Sequence, residues 1–442
     1  MQFTKTTPVG LIVLFAMTLP ALSQLKDAPQ KDGFPKFKVQ EVLTDLTIGY
    51  AVITADVNGD GKPDIVIVDK HRVLWLENPT WKRRIILEGK TKPDNVCIAA
   101  GDFDGDKQID FVIGAGWKPF DTKTPGTLQW VKRGKTLDDE WTMYPIPCDE
   151  PTVHRVQVGD IDNDGKPEII LAPLMGREST AAKNWMDGRP VRILSYSTPA
   201  DPTKPENWKP TVISEELHVV HGIQLTAHLR NYKTGNRIEH ELFTASYEGV
   251  KNFVAMDNNQ TGKWRPGTEP VRAGDQSKPM TNRGSSEVNA ERVVSWPGFN
   301  WVASIEPWHG NSLVFYRTAD DEETPGTIVL PATGRHVIDD HLRWGHAVKL
   351  VDLDGDGIPE MVVGVRDDPN PKLGDTFSER RGVRIYKSTD GKGKKWDRLM
   401  LEDGGVAVED LTVCDLNGDG KPDIVAVGRA TGNCRIYWNQ GK

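Results

Sequence analysis

This sequence has few or none of several features that would point directly to a function. Lys and Arg number 55 against 63 Asp and Glu, and the cations form no stripe, so nucleic acid is not an expected partner. The long apolar run over residues 9–19 is too short to span a bilayer. No serine nucleophile elbow, Cys–His protease signature, phosphate loop or dinucleotide fingerprint stands out. These absences argue against the corresponding enzyme classes and against a membrane span.

Cysteine is also scarce, with 4 residues in a chain of 442. An exported protein could pair them, but buried free thiols explain them equally well, so no disulfide is assigned. Export itself is expected, because residues 1–23 combine a basic start, a short apolar run and the cleavage-site pattern Ala21-Leu22-Ser23. We therefore expect a signal peptide over residues 1–23 and a periplasmic or extracellular domain over residues 24–442.

An acidic nine-residue loop, in contrast, occurs five times. The clearest copy runs from Asp352 to Glu360 and carries side-chain oxygens at positions one, three, five and nine. Such alternation turns oxygens towards a hard cation, and Gly at position six makes the sharp turn, where the second copy has Lys107 instead. The side chains expected to bind calcium, at up to five sites, are Asp56, Asn58, Asp60, Asp64, Asp102, Asp104, Asp106, Asp110, Asp160, Asp162, Asp164, Glu168, Asp352, Asp354, Asp356, Glu360, Asp415, Asn417, Asp419 and Asp423.

A short apolar strand precedes each loop and another follows it, so the motif is a strand-loop-strand hairpin. The repeat resembles the FG-GAP/VCBS family of β-propellers. That resemblance implies an all-β, seven-bladed β-propeller with its calcium-binding loops on one face. The expected first strands start near Tyr50, Val96, His154, His221, Glu287, His346 and Glu409. Residues 37–43 look like a fourth strand with no blade of its own, and we expect them to close the ring by completing blade seven.

The entries of the first strands converge on the channel of a propeller, and three of them are histidines. His154, His221 and His346 share one repeat position, six residues before the first loop position or its aligned equivalent. Three imidazoles facing one axis can surround zinc or another divalent transition metal and leave a position open for a substrate. The alternative is that these side chains fill the channel or bond to neighbouring carbonyls.

Other reactive side chains are expected on the same face. His309, Tyr247, Arg177 and Arg366 follow second strands, and Glu287 lies at a first-strand entry. Together they would form a polar, aromatic-lined cup, which is typical of a sugar site. His309, Tyr247 and Glu287 are the candidate acids and bases, and Arg177 and Arg366 complete the candidate catalytic set.

A second, looser resemblance indicates a class of reaction. The segments around His154, residues 172–177, His221, residues 305–310 and His346 are similar to the propeller domain of aldos-2-ulose dehydratase (1,5-anhydro-D-fructose dehydratase). This implies a metal-dependent lyase that acts by dehydration or β-elimination on a keto-sugar such as 1,5-anhydro-fructose or a 3-keto-glycoside. The alternatives are a non-catalytic carbohydrate- or protein-binding propeller, like integrin heads, and a polysaccharide lyase with an open groove. A binding propeller would not need the three converging histidines.

Overall fold

A computed structural model of the chain describes residues 25–232, 235–256, 263–267, 274, 283–292, 299–320, 328–329, 334–366, 381–402 and 404–442. The expected signal peptide lies outside these residues. Seven antiparallel sheets account for the strands in these ranges, and the helical elements described there are two short 3₁₀ turns, Ala181–Lys183 and Pro205–Asn207. No helix within the described residues has the length and apolar character needed to cross a bilayer.

The first three blades follow two N-terminal strands, β1 (Lys26–Asp27) and β2 (Lys36–Leu43). Blade one contains β3 (Ala51–Ala55), β4 (Asp64–Val68), β5 (Arg72–Glu77) and β6 (Lys82–Glu88). Blade two contains β7 (Cys97–Gly101), β8 (Asp110–Ala115), β9 (Thr127–Lys132) and β10 (Thr142–Ile146). Blade three contains β11 (Val153–Gly159), β12 (Glu168–Pro173), β13 (Val191–Ser197) and β14 (Pro210–Leu217).

The remaining blades repeat this pattern with longer insertions. Blade four contains β15 (Gly222–Tyr232), β16 (Gly235–Ser246), β17 (Gly249–Ala255) and β18 (Trp264–Pro266). Blade five contains β19 (Glu287–Arg292), β20 (Phe299–Glu306), β21 (Ser312–Asp320), β22 (Ile328–Val329) and β23 (Arg335–Asp339). Blade six contains β24 (Gly345–Val351), β25 (Glu360–Val365), β26 (Gly382–Ser388) and β27 (Trp396–Met400), and blade seven begins with β28 (Val408–Cys414), β29 (Asp423–Gly428) and β30 (Cys434–Gly441).

The seven-bladed fold predicted from the sequence is confirmed. Each expected first-strand start lies within one residue of the observed start. The first strands contact one another in cyclic order, and the first strand of blade seven contacts that of blade one. This arrangement brings the seven strand entries together around one channel.

Strands from both ends of the chain share the seventh sheet, in the order β1-β2-β30-β29-β28. β2 pairs antiparallel with β30, with Val39 opposite Tyr437. The Arg435 Nε atom donates to Glu41 Oε2 at 2.9 Å, and Trp438 Nε1 donates to Gln40 Oε1 at 2.9 Å. The pairing covers an edge of β30 that would otherwise expose unpaired backbone groups.

The core lies between the faces of neighbouring sheets. Large aromatic side chains, among them Trp75, Trp130, Trp208 and Trp301, are fully buried there. Such residues remove a large apolar area from water and dominate the stability of the packing. All four cysteines are free thiols in this structure.

The five acidic loops connect first and second strands and share one backbone geometry. Position six has a positive φ in every copy, including Lys107, whose φ is 65°. A residue with a Cβ pays a steric cost in this region, which Gly avoids. The second loop therefore keeps the shape of the others although its sequence departs from the pattern.

Candidate active site

A cavity of about 740 Å³ opens at the face where the first strands begin. Its wall includes six of the seven entry residues, namely Tyr50, Val96, His154, His221, His346 and Glu409. Three tryptophans also line it: Trp117, Trp308 and Trp344. A cavity of this size with aromatic walls and a few converging polar groups is typical of a small-molecule site.

Three imidazoles lie in mutual contact at the base of this cavity. His221, His309 and His346 each offer a ring nitrogen, and these nitrogens all lie within 4.8 Å of one another. The Nε2 atoms of His221 and His309 are 2.9 Å apart. The ring of His346 lies 4.9 Å from that of His221 and 5.1 Å from that of His309, between centroids. The three side chains could therefore bind one ion.

Hydrogen bonds fix the tautomers of two of these rings. His221 Nδ1 lies 2.7 Å from Glu287 Oε1, and His346 Nδ1 lies 2.6 Å from the Glu409 carbonyl oxygen. A carboxylate and a carbonyl only accept, so Nδ1 carries the proton in both rings. Each Nε2 therefore keeps its lone pair, and the Glu287 contact is the carboxylate–histidine arrangement found behind metal ligands.

Burial keeps these imidazoles neutral. It lowers the pKa of His221, and it lowers the pKa values of His309 and His346 well below their usual range. Repulsion from the nearby Arg366 guanidinium acts in the same direction on all three rings. A neutral imidazole is the form that binds a metal, so the protonation state of the cluster is compatible with a bound cation.

A glycine lets the carboxylate reach His221. A Cβ on Gly222 would lie 2.9 Å from Glu287 Oε2 and 2.7 Å from the Ser286 carbonyl oxygen. Both contacts are closer than real Cβ atoms tolerate. The absence of a side chain at Gly222 therefore allows Glu287 to orient His221.

The structure and the sequence-based prediction differ in the identity of the third histidine of the group. The expected trio was His154, His221 and His346. In the structure His309 takes the place of His154 in the group. The ring of His154 lies next to the group, 4.7 Å from the ring of His221 between centroids. Arg155 Nη1 lies 3.2 Å from His154 Nε2, so a cation stands next to that nitrogen. The Nδ1 atom of His154 is buried and has no hydrogen-bond partner.

His309 reaches the channel through an unusual loop conformation after β20. Its φ is 47°, and its ring stacks on Trp308 at 4.7 Å between centroids. A Cβ on the following Gly310 would lie 2.1 Å from the Glu306 carbonyl carbon, so only glycine fits this tight reversal. The geometry of this loop brings the His309 ring to the axis, whereas the other three histidines reach it from a shared repeat position.

Arginines and one glutamate form a charged wall beside the imidazoles. Glu409 accepts from Arg366 Nη1 at 3.0 Å and from Arg429 Nη1 at 2.7 Å. Burial raises the pKa of Glu409, but the two guanidinium groups outweigh it and the net pKa is lowered. The Arg366 guanidinium also lies 5.3 Å from the ring centroid of Trp344. Glu409 is therefore an ionised anchor and a poor proton acceptor.

The other predicted catalytic residues occupy different places. Arg366 lines the cavity, and Glu287 stands behind His221. Tyr247 is fully buried under Trp308, outside the cavity lining, and burial raises its pKa to about 12. Arg177 is also outside the lining and pairs with Glu150 at 2.9 Å. The structure thus does not bring Tyr247 and Arg177 into the lining of the cavity.

Several cavity residues were missed at the sequence level. Tyr50 occupies the same repeat position as His154, six residues before its loop, and this position was the available signal. Arg155, Phe120 and Trp344 also line the cavity, and Phe120 stacks on Trp185 at 5.4 Å between centroids. Phe120 lies in an insertion between strands, where no periodic pattern indicates the direction of a side chain.

The acidic loops on the opposite face fit a cation to different degrees. In blade three, Asp160, Asp162 and Glu168 offer oxygens within 4.8 Å of one another, and Asp160 Oδ1 is buried without a partner. Burial, with Asp162 nearby, raises the pKa of Glu168 to about 8. A bound divalent cation would relieve this cost, so the donor set of blade three suits calcium.

Position nine of the loops has a structural role as well. Asp64 Oδ2 accepts from the Val57 N–H at 2.9 Å, and its Oδ1 accepts from the Asn78 N–H at 2.8 Å. Glu168, Glu360 and Asp423 also accept from the N–H group of the second loop residue. The carboxylate at this position therefore ties the loop to its own blade, whether or not it also binds an ion.

Comparison with known proteins confirms both resemblances noted in the sequence. Residues 125–319 match the family described as the β-propeller domain of aldos-2-ulose dehydratase. Residues 43–113 and 352–426 match the FG-GAP-like repeat. The aldos-2-ulose dehydratase of Phanerodontia chrysosporium is 25% identical over 284 residues, which cover 62% of this chain but 29% of that enzyme. The chain thus spans less than a third of the length of this curated relative.

A solved structure also shares the fold. The crystal structure of BBS1N in complex with ARL6DN, soaked with lead, has a TM-score of 0.52 and 13% identity to this chain. The match covers 95% of this chain and 98% of that one. At this identity the likeness concerns the fold alone.

Proposed function

We propose that the protein is a metal-dependent lyase that eliminates water or an alcohol from an oxidised sugar. The observation that carries this proposal is the group of three neutral imidazoles, His221, His309 and His346, at the base of an aromatic-walled cavity. The match of residues 125–319 to a dehydratase propeller supports the same reaction class.

The cavity walls suit a sugar ring. Trp117, Trp308 and Trp344 present flat apolar faces, on which the C–H faces of a sugar can pack. Arg155 and Arg429 supply donors for ring oxygens and hydroxyl groups. The volume of about 740 Å³ accommodates a monosaccharide with room for a substituent, so both 1,5-anhydro-fructose and a 3-keto-glycoside are candidate substrates.

The imidazole trio supplies the electrophilic part of the site. A divalent cation such as zinc, bound by His221, His309 and His346, would polarise the substrate carbonyl and acidify the neighbouring C–H bond. Glu287 and the Glu409 carbonyl hold two of the rings in the required tautomer. The chain's own contribution is therefore a preorganised set of neutral donors.

His154 is the residue we assign to proton transfer. It lines the cavity beside the trio, and burial followed by the charge of Arg155 lowers its pKa well below the usual range. The ring is thus neutral, and its Nε2 atom, which faces Arg155 Nη1 at 3.2 Å, could accept the proton next to the carbonyl once the bound substrate displaces that contact. Once protonated, it would return that proton to the departing hydroxyl or glycoside oxygen, which balances the elimination. This role belonged to His309, Tyr247 or Glu287 in the sequence-based hypothesis.

The test compares two conservative variants. His309→Gln should lose both the bound transition metal and turnover, whereas His154→Gln should keep the metal and lose turnover. Metal is measured by elemental analysis, and turnover by the absorbance of the enone formed from each candidate keto-sugar. Metal loss in His154→Gln alone would restore the trio predicted from the sequence. Sugar binding without turnover, in a metal-free wild type, would favour a binding propeller instead.

The proposed place of action is outside the cytoplasm. Residues 1–23 have the pattern of a signal peptide, and calcium at extracellular or periplasmic concentrations could fill weak loop sites. Determination of the N-terminal sequence of the secreted protein tests this directly, with Gln24 expected as the first residue.

A further inference from the structure

Phe120 is a large apolar side chain that the fold leaves exposed at the cavity. It is 61% exposed, and it lines the cavity from the insertion between β8 and β9. Other exposed large apolar residues of the described ranges, such as Ile85 and Val212, lie outside the cavity lining. Single exposed apolar residues are common on protein surfaces, so exposure alone assigns no role. The packing behind Phe120 and its place in the cavity distinguish it.

A buried indole supports the Phe120 ring. The rings of Phe120 and Trp185 stack with an angle of 18° between their planes and their centroids 5.4 Å apart. Trp185 is 8% exposed and packs in a cluster with Leu174, Met175 and Tyr247. Part of the Phe120 ring is therefore fixed against the protein, while the exposed part is open to a ligand.

Contacts between two insertions hold the stacked rings in place. Thr122 Oγ1 donates to the Ser179 carbonyl oxygen at 2.9 Å, and the Glu178 N–H donates to the Thr122 carbonyl oxygen at 3.1 Å. Phe120 and Trp185 both have a left-handed backbone, with φ values of 73° and 62°. A residue with a Cβ pays a steric cost in this region, so the surrounding contacts must impose the conformation. The stacked pair is therefore a preorganised surface, which loses little conformational entropy when a ligand packs on it.

The same insertion connects this surface to the residue assigned to proton transfer. Trp117 lines the cavity three residues before Phe120, and its ring lies 5.1 Å from that of His154 between centroids. Three residues of chain span at most about 11 Å, so the backbone of Phe120 stays within that distance of Trp117. In the proposed mechanism His154 protonates the departing oxygen. A substituent on that oxygen can therefore extend past Trp117 to Phe120.

We propose that Phe120, supported by Trp185, binds the leaving group of the substrate and that this leaving group carries a ring. The inference rests on the proposed lyase function, and it makes the substrate a 3-keto-glycoside with a cyclic aglycone. The flat apolar face of a sugar or aryl ring packs well on an aromatic side chain. The leaving group of 1,5-anhydro-fructose is a hydroxyl, which offers no such face to Phe120.

The elimination balances with such a leaving group. The C–H bond next to the carbonyl breaks, its proton goes to His154, and its electron pair forms the double bond of the enone as the C–O bond to the aglycone breaks. His154 then returns the proton to the departing oxygen. The products are an enone and a cyclic alcohol, and no oxidant, reductant or other co-reactant is consumed.

The experiment measures the preference of the exported protein for a ring on the leaving group. The substrates are 3-keto-glucosides with a methyl, phenyl or glucosyl aglycone, and enone absorbance reports turnover. In the wild type, kcat/KM should be about three- to tenfold higher for the phenyl or glucosyl compound than for the methyl compound, through a lower KM. Phe120→Ala should lose this preference and Phe120→Trp should keep it. Both variants should contain as much transition metal as the wild type.

A matched control removes a similarly exposed apolar side chain elsewhere. Ile85 is 41% exposed on β6 and lies outside the cavity lining, so Ile85→Ala should keep the preference of the wild type. A preference confined to the phenyl or to the glucosyl compound would support the assignment and identify the ring. Turnover without any preference in the wild type, or with an unchanged preference in Phe120→Ala, would overturn the role of Phe120 and leave the lyase proposal in place.

Calorimetry with the corresponding unoxidised glucosides separates this inference from the proposed function. Binding requires no chemistry, so the phenyl and glucosyl glucosides should bind the wild type more tightly than methyl glucoside, and Phe120→Ala should lose the difference. This result in a protein that turns over no keto-sugar would contradict the lyase function but support the role of Phe120. Equal binding of the three glucosides to the wild type would overturn that role.

Discussion

Burial shifts the pKa values of ionisable side chains in opposite directions on the two faces of the propeller. On the loop face, burial raises the pKa of carboxyl groups such as Glu168, because their charged form is poorly solvated. On the cavity face, burial lowers the pKa values of His309 and His346, because there the charged form is the cation. Anionic oxygens on one face and neutral nitrogens on the other would therefore suit different ions, the hard cation proposed for the loops and the softer one proposed for the channel.

The faces also differ in how they use the repeat. The loops keep one residue pattern in five blades, whereas the seven strand entries on the cavity face carry four residue types, namely Tyr, Val, His and Glu. Repetition suits a structural task that every blade shares. A binding or catalytic site requires unlike groups at one point, and the propeller provides these by varying one repeat position and by adding His309 and Arg366 from the loops after second strands.

The largest effect should follow from removing a cavity ligand. We expect His221→Ala to lose the transition metal and to reduce turnover by about a hundredfold or more, since each 1.4 kcal/mol of lost stabilisation costs about a factor of ten in rate. Its melting temperature should change by a few degrees at most, because blade four has no calcium loop. Elemental analysis, enone absorbance and calorimetry measure the three quantities.

An exposed histidine provides the control for this variant. His336 is exposed on β23 and lies outside both the cavity lining and the groups of side chains that could hold a metal, so His336→Ala should behave as the wild type. Equal transition-metal content in the His221→Ala variant and the wild type would contradict the role of the trio.

A smaller effect should follow from the carboxylate behind the ligand. Glu287→Gln retains the shape but removes the charge that holds the Nδ1 proton of His221, so metal affinity should fall roughly tenfold. Competition with a chromogenic chelator measures the affinity. Glu248→Gln changes the similar pair between His218 and Glu248, 2.9 Å apart and outside the cavity lining, and should leave the affinity unchanged. An equal loss in both variants would indicate a general effect on the fold.

The smallest effect should follow from calcium removal on the other face. A calcium-selective chelator should lower the melting temperature by a few degrees and leave turnover of the folded fraction intact, because the loops lie on the opposite face from the cavity. Asp160→Ala should reduce this shift, since it removes one loop from the response. The shift should be the same in His221→Ala as in the wild type, since distant sites act independently. An unchanged melting curve would refute the calcium assignment.

Much of the fold was predictable because the repeat encodes it. The loop spacing places the strands of five blades, and the aligned strand pattern places those of blades four and five, so the seven strand starts could be predicted within one residue. The convergence of His154, His221 and His346 was predictable from their shared repeat position, and His309 and Arg366 were expected on the same face, but the place of His309 in the group of three imidazoles was not predicted. His309 depends on a left-handed backbone at one loop residue and on a close approach at Gly310, and neither leaves a periodic signal. The burial of Tyr247 and the pairing of Arg177 depend on tertiary contacts of insertions, which vary without pattern.

The pairing of β2 with β30 has a consequence for the order of folding. The ion pair between Glu41 and Arg435 joins residues 394 positions apart, so the closure of this loop costs chain entropy that only late contacts repay. Blades one to six are built from neighbours in sequence and can form as the chain emerges, whereas the seventh must wait for both ends. Until then its strands remain open to pairing with other chains, and the rate of this last step sets how long the protein is exposed to aggregation.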